Sequence, residues 1–139
     1  MKNNRFSVLA CMRAALALLL AIGMRTFLQP CVHADGAVGT CHWAGMVLAG
    51  LGVVLAVQAV LGMVCPSAQA REGIALATVP VALLTALIPG TWIPLCMLQT
   101  MRCNTIMKPA AILIAAVIGV LSVADAALWH RRAKQERRA

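Results

Sequence analysis

Four apolar runs, at about 10–28, 44–64, 74–95 and 110–129, decide what this chain can fold into. Each is close to the roughly 20 residues an α-helix needs to cross the hydrocarbon core of a bilayer. Inside hydrocarbon the backbone N–H and C=O groups must be satisfied within the segment, so a lone run of this length is confined to helix. The second run, AGMVLAGLGVVLAVQAVLGMV, carries no charge at all. The first is interrupted by Arg13, and Val32 and Ala34 lie too far beyond its apolar centre to make it a secretory leader, so it reads as a retained span. Composition agrees: with 62% hydrophobic and 12% charged residues, a soluble domain of 139 residues has too little interior to hide the excess. The expected fold is all-α, an integral-membrane antiparallel four-helix bundle with short loops. A single transmembrane domain over 1–139 ends in a basic tail, 130–139.

The formal charge of +8 is clustered at the two ends. Lys2, Arg5 and Arg13 precede or open the first span, and Arg131, Arg132, Lys134, Arg137 and Arg138 follow the last. Basic clusters flanking apolar spans report topology and contact with anionic lipid. They place both termini in the cytoplasm of a multi-pass protein of the cell (inner) membrane. Loops 29–43 and 96–109 then lie outside, and CPSAQARE (65–72) lies inside. Nucleic acid is excluded as a partner because no basic, aromatic-bearing soluble face exists to bind it.

Small residues recur at steps of three and four in every span. The series are Ala10, Ala14, Ala17, Ala21; Gly45, Ala49, Gly52, Ala56, Ala59; Ala75, Thr78, Ala82, Thr85; and Ala111, Ala115, Gly119, Ser122, Ala126. A step averaging about 3.5 keeps one seam facing a partner in a left-handed bundle. Lipid tails are as apolar as leucine, so close approach across small residues must supply the packing.

Within the spans, Arg13 lies 18 residues before Cys31 and Asp125 lies 16 after Pro109, which sets them at comparable depth. An ion inside a membrane is costly alone, so the two are expected to face each other between spans one and four. Gln58 is expected to hydrogen-bond between helices. Trp43, Trp92 and Trp129 fall at the boundaries, where aromatic rings anchor spans. Pro80 should kink the third span, with the freed carbonyl rescued by a threonine or a neighbouring helix.

Cys31, Cys41, Cys96 and Cys103 all fall on the outer side, where disulfides persist, while Cys11 and Cys65 fall at the reducing edge. Four cysteines allow three pairings, and spacing does not choose among them. A structural disulfide cap is the first reading. A thiol-disulfide relay coupled to quinone is the second; it shares the two outer cysteine pairs but lacks C-x-x-C, since nine and six residues intervene here. A Cu(I) site is the third, with His42, Cys96, Met101 and Cys103 as the soft ligand set. The first reading calls for no cofactor. No haem motif, phosphate loop or H-E-x-x-H is present.

The stretches FLQPC (27–31), CHWAG (41–45) and IPLCMLQTMRCNTIMKPA (93–110) resemble the marks of a small bacterial membrane family, domain of unknown function 4418. The resemblance implies four spans and carries Cys31, Cys41, His42, Cys96, Met101 and Cys103 over as the family pattern. It implies no known activity. Members are often encoded beside ABC transporter components, which suggests a partner role. The expected function is thus a non-enzymatic accessory subunit, contacting the bilayer and another membrane protein or a second copy. The alternative is a membrane oxidoreductase using the four outer cysteines.

Overall fold

A computed structural model describes residues 3–28, 39–95, 100 and 102–136, with side chains from Val8 to Gln135. Four helices follow one another: α1 (Asn3–Gly23), α2 (Thr40–Val64), α3 (Ala68–Leu87) and α4 (Lys108–Glu136). Among the described residues there is no strand. Each helix packs on its neighbour in the chain, and α1 closes the ring against α4. This is an all-α, up-down bundle. Three helical stretches, Thr40–Val64, Ala68–Trp92 and Cys103–Gln135, are long and apolar enough to cross a membrane; the apolar part of α1, Val8–Gly23, is shorter.

The distribution of side-chain size identifies the solvent. The seam residues face inward, and all but Ala14 and Gly119 are buried. Large apolar side chains point outward instead, among them Leu18, Ile22, Val53, Val57, Leu83, Leu113 and Val120. A surface of this kind is costly in water and neutral in lipid. Helices α1 and α2 approach closely at Gly52. A Cβ placed on Gly52 would stand 2.8 Å from the Ala21 backbone nitrogen, so only glycine permits that crossing. Leu20, Leu48, Leu55, Ile118, Met24 and Met107 fill the spaces above and below the seam. Met107, immediately before α4, belongs to this core with Ala44, Leu48 and Ala111.

Several helix ends depart from the apolar runs. Gly23 ends α1, and the chain folds back through turns so that the Leu28 N–H donates to the Gly23 carbonyl at 2.8 Å. Leu28 is thereby buried in the core although it lies outside the helix. At the other end of the bundle α3 begins at Ala68, not near 74, because Ser67 accepts from the Ala70 N–H at 3.2 Å. A serine N-cap of this kind starts a helix whatever the polarity of its first turn. Helix α3 runs through Pro80 without a break. The expected threonine rescue does not occur there: Thr78 and Thr85 donate to their own i−4 carbonyls, Ile74 and Val81, at 2.8 and 2.7 Å. The break comes at Pro89 and Gly90, where φ of 92° at Gly90 requires glycine. Finally, α4 continues through the basic segment to Glu136, with Trp129 and Ala133 packed on Ala68.

Candidate functional site

The polar interior is concentrated at the end of the bundle that holds the α2–α3 connection. Arg13 of α1 points across to α4, where its Nη2 donates to Asp125 Oδ2 at 2.5 Å. Its Nη1 lies 3.4 Å from Ser122 Oγ, and that hydroxyl donates to the Ile118 carbonyl at 2.8 Å. Both ions are only 3% exposed. Gly62 of α2 lies beside the guanidinium, and a Cβ there would stand in ordinary contact with it, 3.8 Å from Nη2. The pair neutralises two charges that neither lipid nor packed alanine could solvate, and it joins the first helix to the last. The Trp129 side chain is a further hydrogen-bonding neighbour of the Asp125 carboxylate, while among the described residues Arg13 Nε and Asp125 Oδ1 meet no partner at normal hydrogen-bond geometry. Gln58 Oε1 is in the same position, and the interhelical bond expected of it is absent.

One turn beyond Asp125, Trp129 forms the floor of this site. Instead of lying free in the interface it is buried, with the guanidinium of Arg71 at 4.8 Å and that of Arg132 at 5.2 Å from its ring centre. A cation over an indole face is held by the ring quadrupole. Arg71 also donates from Nε to the Cys65 carbonyl at 2.5 Å and from Nη2 to the Met63 carbonyl at 3.1 Å. It therefore satisfies the last carbonyls of α2 while touching α4, and so knits three helices. Nothing in the sequence singled out Arg71; the signal available was a cation a few residues beyond the end of an apolar helix. Nearby, His130 Nδ1 lies 2.7 Å from Glu72 Oε1. Cys11, exposed on α1, lies with its Sγ 3.9 Å from Met63 Sδ.

The opposite end holds the family cysteines. Cys41, in the first turn of α2, is 1% exposed, and Cys103, which begins the wide turn leading into α4, is 0% exposed. Cys31, Cys96 and Met101, with Met97, lie outside the described residues. Among the described residues no cysteine pair stands at disulfide distance. His42 is half-buried with its ring edge-on to Trp43 at 6.2 Å. Of the Cu(I) set, then, only His42 and Cys103 are placed. Thr40 donates to the Pro94 carbonyl at 3.1 Å, tying the start of α2 to the chain after the α3 break. Arg102, the cation beside Cys103, reaches the Phe27 carbonyl at 3.5 Å.

A family model described as a domain of unknown function, DUF4418, matches residues 13–128. The match takes in Arg13 and Asp125 as well as the cysteine segments. No curated protein matches the chain, and no solved structure does.

Proposed function

The chain belongs to the DUF4418 family, and we propose that it is a non-enzymatic accessory subunit of a membrane complex, resident in a bacterial inner membrane with both termini cytoplasmic. Gly50 carries this reading. It is exposed on the outer face of α2, where an added Cβ would meet nothing within 4 Å. Val47, Val53, Val54 and Val57 surround it on the same exposed face. A mid-helix glycine costs about 1 kcal/mol of helix stability relative to alanine, and no intramolecular contact here requires it. Between stiff β-branched side chains, such a notch lets a second helix approach closely in lipid. An ABC-type transporter is the first candidate for the complex. A photo-crosslinking residue at Val54, irradiated in intact membranes, should yield one discrete protein adduct that Gly50→Ile abolishes. Adducts to lipid alone would overturn the reading, and the adduct mass separates a foreign partner from a second copy.

Cys31, Cys41, Cys96 and Cys103 form the disulfide cap of this subunit. Support comes from the burial of Cys41 and Cys103, because a thiol-disulfide relay needs accessible, thiolate-prone sulfur. Differential alkylation of protein from intact cells should find all four sulfurs oxidised, with no response to quinone status. A mixed population that follows quinone redox state would instead identify the oxidoreductase, and chelator-sensitive protection of free thiols would identify Cu(I).

A further inference from the structure

We infer that the outer face between α3 and α4 is a binding site for one anionic phospholipid of the cytoplasmic leaflet. This face holds an apolar groove of about 540 Å³ lined by Ala82, Ala115 and Gly119 together with Leu83 and Val120. At Val123 it runs into a second hollow, which Arg131 lines, and at Glu72 and His130 that hollow runs into a third, which Lys134 lines. Lining therefore passes from apolar residues to a polar end that holds Arg131 and Lys134 beside Glu72 along the α3–α4 face.

Length selects the occupant. From Ala115 to Arg131 is 16 residues of continuous helix, about 24 Å at 1.5 Å per residue. One leaflet, headgroup included, is about 20–22 Å thick, whereas a docked partner helix needs about 30 Å of apolar track. Charge selects the headgroup. The exposed Arg131 and Lys134 stand at the mouth, where they can attract an anion, while Glu72 lies 2.7 Å from His130. The charge bias of the termini puts this mouth on the cytoplasmic side, where basic pockets between spans meet anionic lipid. The site is separate from the α2 ridge around Gly50 and stands or falls without it.

Native mass spectrometry of the delipidated full-length protein in mild detergent tests the proposal. Palmitoyl-oleoyl phosphatidylglycerol should be retained as a single adduct in preference to the phosphatidylcholine with the same chains. The double variant R131Q/K134Q should lower that preference by at least about tenfold, since each basic group near the headgroup contributes comparably. Gly119→Leu should reduce phosphatidylglycerol retention with the charges intact: a Cβ at Gly119 meets only Ala82 Cβ, at 3.8 Å, so the added side chain has the groove to occupy. Equal retention of the two lipids would overturn the proposal, as would an unchanged preference in the charge variant or release by millimolar inorganic phosphate. A dimer that Gly119→Leu dissociates would also overturn it, in favour of a second copy. Gly50→Ile should leave the lipid adduct intact.

Discussion

Arg13 and Asp125 are costly to bury one at a time and far less so together. The sequence placed them at one depth by counting residues from the outer loops, and the structure sets them 2.5 Å apart. What counting could not supply was the surrounding detail. Ser122 under the guanidinium, Gly62 beside it and the Arg71–Trp129 contact all depend on which helix faces which, and hydropathy is silent on rotation. The energetics give a prediction of definite sign. Asp125→Ala strands a buried guanidinium and should destabilise the bundle by about 3–5 kcal/mol, read from unfolding in micelles. The double variant Arg13→Met/Asp125→Leu, with no charge left to solvate, should recover most of that loss. A double variant as unstable as the single one would show that the pair contributes something packing cannot replace.

At the level of elements, the apolar runs located the helices and misplaced their ends, for a physical reason. Hydropathy records which solvent a residue tolerates, whereas a helix begins and ends where backbone groups are satisfied. The polar turn at Ser67 reads as loop, yet it caps α3 and moves its start to Ala68. Phe27 and Leu28 read as span, yet the helix has already ended at Gly23. The small-residue seams were legible because only close helix contact rewards them in lipid, and the glycines within them separate into different kinds. Gly52 abuts the backbone of Ala21, whereas Gly50 faces open space. Gly52→Ala should therefore cost about 1–3 kcal/mol through forced separation of α1 and α2. Gly50→Ala should leave the isolated bundle as stable or slightly more so, by its helix propensity. Thermal unfolding of the two purified variants checks this; equal losses would mean that the α1–α2 contact is looser than 2.8 Å at Gly52 implies.

For the whole molecule the decisive question is whether α1 crosses the membrane with its partners, since its apolar part, Val8–Gly23, is the shortest of the four. Its packing gives the answer its direction. Midway along α1 Cys11 meets Met63 at the end of α2, and Gly52 in the middle of α2 lies against Ala21 near the end of α1. Just past its end, Met24 and Leu28 join Ala44 and Leu48 near the start of α2. Helix α1 together with the turns that follow it thus runs antiparallel beside α2 from Met63 back to Ala44, along a helix that can itself span. Its 21 residues extend about 31 Å, which matches the hydrocarbon core. Arg13 lies within the apolar part of α1, and its charge is met by Asp125, so the helix can enter lipid without a bare ion. In the proposed topology four crossings would put both termini on one side, and the basic residues at each end would make that side the cytoplasm. A green fluorescent reporter should accordingly be fluorescent at either terminus. Alkaline phosphatase should be inactive at both and active when inserted into the 96–109 loop. Phosphatase activity at the N-terminus alone would mean that only three helices cross, and the Arg13–Asp125 contact would then have to form without α1 spanning the bilayer.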